Sequence, residues 1–270
     1  MSIITLTTDF GNNDEYVGIM KGVMLSLNPS AVIVDITHHI DPQDIVQAAY
    51  TIYSSYRYFP QGTVHVVVVD PTVGSDRKII AFKITDHIFL APDNGVLSLL
   101  IKKNEGNINS IASIDNTSYF LDPVSRTFHG RDIFAPVSSH LSMGVPIKKL
   151  GTPIVQNKLL CLSILEPYFS DNGELVGSII SIDNFGNLIT NINFDDLEKI
   201  ENTVPEKKLC INVGKSKISG LSPNYSSAIS GHPLAIIGSR GYLEISVNGG
   251  NAANHFMVEK SDVVRINTVK

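Results

Sequence analysis

Residues 63–82 read TVHVVVVDPTVGSDRKIIAF, and the reading of this stretch decides the fold. The run ending at Val69 is almost entirely β-branched, which suits a strand covered on both faces of a sheet. Asp70 stands at its tip, followed by Pro71, Gly74 and Arg77 before a second apolar run begins. A carboxylate at the end of the most hydrophobic strand, with a guanidinium a short turn away, asks for a chemical reason.

Working outward, IITLTTD is a short strand ending at Asp9, and FGNND is turn chemistry leading into a helix. Tyr16, Met20, Val23 and Leu27 fall on one face of that helix, which Asn28-Pro29 ends. AVIVDIT reads as a second buried strand. Asp41-Pro42 reads as a cap and first-turn proline opening another helix, with Ile45, Ala49, Ile52 and Tyr56 facing inward. KIIAFKIT and HIFLAP read as hairpin partners, and NGVLSLLIK and RDIFAPVSSHLSMG as helices. Strands alternating with helices predict an α/β layered domain over residues 1–150. Residues 151–173 lack periodicity and read as a linker. Over residues 174–270 the short strands LVGSIISID, KLCINVG, PLAIIGS, YLEISVN and DVVRIN predict a smaller β-barrel-like domain.

Composition narrows the function classes. The chain has 270 residues, 43% hydrophobic and 17% charged, with no Trp, which describes a globular protein with a substantial core. No apolar run approaches the roughly 20 residues that cross a bilayer, so no membrane partner is expected. The start, MSIITLTTDF, has no basic region and meets Asp9 early, so no signal peptide is read there. Cys161 and Cys210 stand alone, without metal-ligand spacing, and the cytoplasm is the expected compartment. A net charge of −5 argues against nucleic acid as a partner. The lysines of KSKISG read as solvated surface.

Acidic residues recur just past the predicted strand ends: Asp9, Asp35, Asp70 and Asp93. Open α/β sheets bind ligands beyond the carboxyl ends of their strands, although Asp is also a common turn former and cap. TTDFGNND has one glycine and two acids, so it is no phosphate loop; Asp9 suits neutral hydroxyls such as those of a ribose. FHGRDIFAP sets His129 where a helix opens, beside Gly130, as a functional group or as a structural histidine. SIDNFGNLITNI gathers Asp183, Phe185 and Asn187 around a glycine turn, which describes either a base-binding pair or a hairpin with a core phenylalanine. GSRGYLEISVN places Ser239 and Arg240 on a glycine-flanked turn, a good carboxylate receptor unless Arg240 is merely surface.

Taken together, TTDFG with Asp14, DPTVG with Arg77, FHGRDIFAP, IDNFGN and GSRGYLEISVN resemble the S-adenosyl-L-methionine (SAM) hydroxide adenosyltransferases, the adenosine-forming SAM hydrolases related to SAM-dependent fluorinases and chlorinases. The resemblance runs from about residue 3 to residue 267. It implies an α/β domain followed by a smaller β-barrel-like one, and a homotrimer holding SAM between the N-terminal domain of one subunit and the C-terminal domain of its neighbour. It implies a water-activating trio at Asp70, Arg77 and His129, and a ribose carboxylate at Asp9. Asp14, Asp183, Ser239 and Arg240 match positions that hold the methionine amino and carboxylate groups; Phe185 and Asn187 match adenine contacts. Fluorinase-like proteins carry Tyr where this chain has Asp70, and Tyr-Ser where it has His129-Gly130, so the resemblance is to the water-using branch. SAM is then substrate, and no cofactor or metal is implied. Two alternatives stand beside this one: a divalent-metal hydrolase built on Asp9, Asp14, Asp70 and His129, with His38-His39 as further candidate ligands, and a SAM-binding module without turnover.

Overall fold

The computed structural model describes residues 2–163, 166–203 and 208–269. The chain divides into two compact units, Met1–Leu162 and Ser163–Lys270.

The first unit is a mixed seven-stranded sheet flanked by helices. Its strands are β1 (Ile3–Thr8), β2 (Val32–Thr37), β3 (Val64–Val68), β4 (Ile79–Ile84), β5 (His87–Pro92), β6 (Ile108–Ile114) and β7 (Gly151–Pro153), in the order β2-β1-β3-β5-β4-β6-β7. The first four in that order run parallel, and β4, β6 and β7 are added antiparallel. Strand β3 is central and every residue in it is buried. Val64, Val66 and Val68 pack against one helical layer, from α1 (Tyr16–Leu27) and α4 (Ala135–Ser142). Val67 and Val69 pack against the other, from α2 (Ile45–Ser55) and α3 (Ser98–Lys103). Two covered faces are what an unbroken β-branched run needs.

Several expectations shift in detail. Strand β2 is the sheet edge, and its residues are half-buried or exposed rather than buried. Asp35 lies inside β2, not past its end. Helix α1 buries Val17, Met20 and Met24, while Tyr16 and Leu27 are exposed, so the buried stripe is rotated from the one expected. Helix α2 begins later than Asp41-Pro42: Asp44 is its cap, accepting from the Gln47 N–H at 2.8 Å, a contact worth about 1 kcal/mol. The last helix is preceded by a π-helical turn, Gly130–Phe134, continuous with α4. In the segment read as a linker, β7 pairs with β6, and Leu159 packs among the buried residues of the first unit. Residues 164–165 of that segment lie outside the described residues.

The second unit is antiparallel. Its elements are β8 (Tyr168–Phe169), β9 (Leu175–Ile182), β10 (Leu188–Asn193), α5 (Phe194–Thr203), β11 (Lys208–Val213), β12 (Ser216–Ser219), β13 (Pro233–Ile237), β14 (Tyr242–Val247), α6 (Ala252–Phe256) and β15 (Val263–Val269). The sheet order is β12-β11-β15-β9-β10-β14-β13, with β8 added to β9. Outer strands β12 and β13 approach each other, so the sheet is a nearly closed barrel around Leu188, Ile211, Leu243, Ile245 and Ile266.

Candidate active site

Two parallel strands deliver carboxylates to the same end of the first sheet: Asp9 follows β1 and Asp70 follows β3. The Asn94 side chain holds the Val69 carbonyl at 2.8 Å, which anchors the strand where Asp70 departs. Arg77 returns to that carboxylate. Its Nε donates to Asp70 Oδ2 at 2.7 Å, its Nη2 pairs with the same oxygen, and both side chains are at most 8% exposed. Nη2 also donates to His129 Nδ1 at 3.0 Å. Gly74, at φ +81°, makes this packing possible, because a Cβ there would overlap the Arg126 carbonyl of the loop that leads to His129.

One guanidinium thus fixes two side chains. An arginine can only donate, so His129 Nδ1 must be the lone-pair nitrogen and its ring proton sits on Nε2. Burial, then the Arg77 charge, lower the His129 pKa from the ordinary histidine value, against smaller opposing effects of Asp70, Asp132 and a hydrogen bond to the Ser125 backbone. The ring is therefore neutral near pH 7. Asp70 Oδ2 is taken up by Arg77, whereas among the described residues Oδ1 has only a 3.3 Å contact from Thr72 Oγ1. Asp70 and the neutral His129 ring thus stand together in the lining of one space.

This space is a cleft of about 320 Å³ lined by Asp9, Asp70, His129 and apolar neighbours including Phe10, Val73 and Phe128. Asp9 Oδ2 accepts from the backbone N–H of Gln43 at 2.8 Å. Gln43 adopts φ +66°, which a non-glycine residue holds at some cost. Phe10, Gln43 and Phe128 were not singled out from sequence. Asp14 is exposed and does not line the cleft.

The second unit carries its own recess, about 690 Å³, lined by Asp183, Phe185, Asn187, Ser239 and Arg240 together with Tyr225, Glu244 and Asn248. Phe185 is 76% exposed, so it is not the core residue of the alternative reading. Asp183 organises the turn: Oδ1 accepts from the Phe185 and Asn187 N–H groups at 2.9 Å each, and Oδ2 from Asn187 Nδ2 at 2.9 Å. All five expected residues of this unit meet in one recess.

Family models match both units: SAM hydroxide adenosyltransferase N-terminal domain over residues 4–151, and the corresponding C-terminal domain over residues 177–265. The chain belongs to the SAM hydroxide adenosyltransferase family. Among relatives of this family, an (R)-S-adenosyl-L-methionine hydrolase of Methanocaldococcus jannaschii is 35% identical, with 98% of this chain and 96% of that protein aligned. A fluorinase of Actinoplanes sp. is 30% identical over 93% of this chain and 92% of its own length. A crystal structure of an uncharacterized conserved protein from Thermotoga maritima superposes with a TM-score of 0.87 at 36% identity, covering 98% of this chain and 99% of that one.

Proposed function

We propose that this hydroxide adenosyltransferase hydrolyses SAM to adenosine and L-methionine. The observation that carries the reading is the Asp70–Arg77–His129 arrangement at the cleft. Water attacks the 5′ carbon in line with the sulfonium, the C–S bond breaks, and methionine leaves as a neutral thioether. Neutral water would become an oxonium ion beside a cationic substrate, so a proton must leave as the bond forms. Asp70 takes it, and the neutral His129 ring, held by Arg77, borders the attacking water. Such general-base assistance contributes roughly 10²- to 10⁴-fold. Arg77 holds both partners in place. Asp9 receives the ribose hydroxyls.

No cofactor enters this scheme. Among the described residues, no three His, Cys, Asp or Glu side chains lie close enough together to hold a metal ion, and Arg77 occupies the Asp70 oxygen that a cation would seek. Each recess alone is incomplete, since one holds the base and the other the carboxylate receptor. The working assembly in this reading is a homotrimer in which the cleft of one copy and the recess of the next share a substrate. Among the described residues no helix is long and apolar enough to cross a membrane, and the reading assigns the enzyme to the cytoplasm.

Turnover of SAM in ¹⁸O-labelled water tests the chemistry. The label is expected in the 5′-hydroxyl of adenosine. Unlabelled adenosine, or S-adenosylhomocysteine as product, rejects the scheme.

A further inference from the structure

We propose that Glu244 is a further ligand-binding residue of the second unit's recess: its Oε2 accepts a hydrogen bond from an N–H donor of the substrate, either the adenine amino group or the amino-acid ammonium. The inference rests on the reading of SAM as substrate and deepens it.

On β14, Leu243, Ile245 and Val247 belong to the barrel core. Period-2 alternation puts Glu244 and Ser246 on the opposite face, where a glutamate ordinarily lies in water. Here it is 7% exposed and lines the recess. A buried carboxylate needs donors, and Oε1 has two: the Tyr225 hydroxyl at 2.6 Å and Ser246 Oγ at 2.9 Å. The bond to Glu244, with burial, pushes the Tyr225 phenol up to about 12, so it stays a donor.

Oε2 has no bonded donor among the described residues. It lies against Gly238, where an added Cβ would stand 2.6 Å from it. Gly238 opens the turn that presents Ser239 and Arg240, and its carbonyl accepts the Gly241 N–H at 2.9 Å. The open carboxylate oxygen is therefore set directly beneath the proposed carboxylate receptor. Arg240 forms no ion pair with it, so the two charges remain available for a ligand carrying both signs. Asp183 is the other acid in this recess, but three donors of its own turn already occupy it, out of about four lone-pair sites. The acceptor with more capacity to spare is Glu244, whose two donors both sit on Oε1.

Calorimetric titration of the full chain and of Glu244→Gln tests this with four small ligands: adenosine, inosine, L-methionine and the α-hydroxy acid counterpart of L-methionine. The amide keeps the shape and loses the charge. One amine-bearing ligand should lose about tenfold in affinity or more, as expected for a hydrogen bond to a charged acceptor, while its amine-free counterpart is unchanged. Loss on adenosine alone names the adenine amino group as donor; loss on L-methionine alone names the ammonium. If neither amine-bearing ligand weakens, or if a counterpart weakens equally, Glu244 only anchors Tyr225 and the inference fails. Should Glu244→Gln not fold, Glu244→Asp withdraws the same oxygen by one methylene and is read in the same way. Binding needs no turnover, so this result is independent of the labelling experiment.

Discussion

At the scale of single residues, the proposed reaction separates charge from proton transfer. Arg77 neutralises Asp70 through Oδ2, and Asp70 lines the cleft. Asp70→Asn preserves shape but cannot accept the proton. Its kcat should fall by roughly 10²-fold or more with little change in KM for SAM, measured by steady-state adenosine release on a variant with unchanged thermal unfolding. A rise in KM with kcat intact would move Asp70 from chemistry to binding. Asp70 and Arg77 were legible in sequence because they stand only seven positions apart. His129 was legible only as part of a motif, since the bond joining it to Arg77 spans 52 positions. Gln43 and Glu244 were not legible. Gln43 acts through a left-handed backbone N–H, which leaves no side-chain signature, and Glu244 sits at an alternating position of β14 that reads as solvent-facing.

Among the elements, β3 is the best read and the most heavily used. It ends near Asp70 at its carboxyl end and carries His65 near its start. His65 is fully buried, with Nδ1 2.8 Å from Thr5 Oγ1 and Nε2 3.2 Å from His87 Nδ1. Burial, then the neighbouring His87, lower its pKa from 6.5 to about 3. The folded state therefore refuses a proton that the unfolded chain accepts between those values. This contribution to stability is intact above about pH 6.5 and is lost as pH falls, by about 1.4 kcal/mol per pH unit. In urea unfolding between pH 6 and 4, His65→Phe should show a shallower loss of stability than the parent by about that slope. Equal slopes would place the acid lability elsewhere, with His87 or His140 as the next groups to examine. The other elements were read in proportion to how far tertiary context agreed with local pattern. An apolar strand such as β2 looks buried until the sheet order makes it an edge, and the acidic start of α5, FDDLE, hid a helix whose Leu197 and Ile200 are buried.

For the whole molecule, both architectures were visible in the change from alternating strands and helices to strands alone. Strand β7 was not, because it is only three residues long and its pairing with β6 is non-local. The proposed trimer makes a prediction at this scale. Asp70→Ala and Arg240→Ala chains, mixed equally, dissociated and reassembled, should regain activity toward about a quarter of the parent's, because each head-to-tail site draws its halves independently. Activity that stays absent at every mixing ratio after reassembly would mean one chain builds the whole site. The π-helical turn at Gly130–Phe134 has a consequence of its own. Each residue of an α-helix advances the azimuth by about 100°, and a π-turn accommodates one residue more than the regular spacing. The compass bearing of His129 is thereby uncoupled from that of α4: the buried side of α4 can stay locked in the core while a single-residue insertion or deletion at the turn re-aims the imidazole. In this chain the turn is thus a place where the imidazole can be steered without repacking the interior.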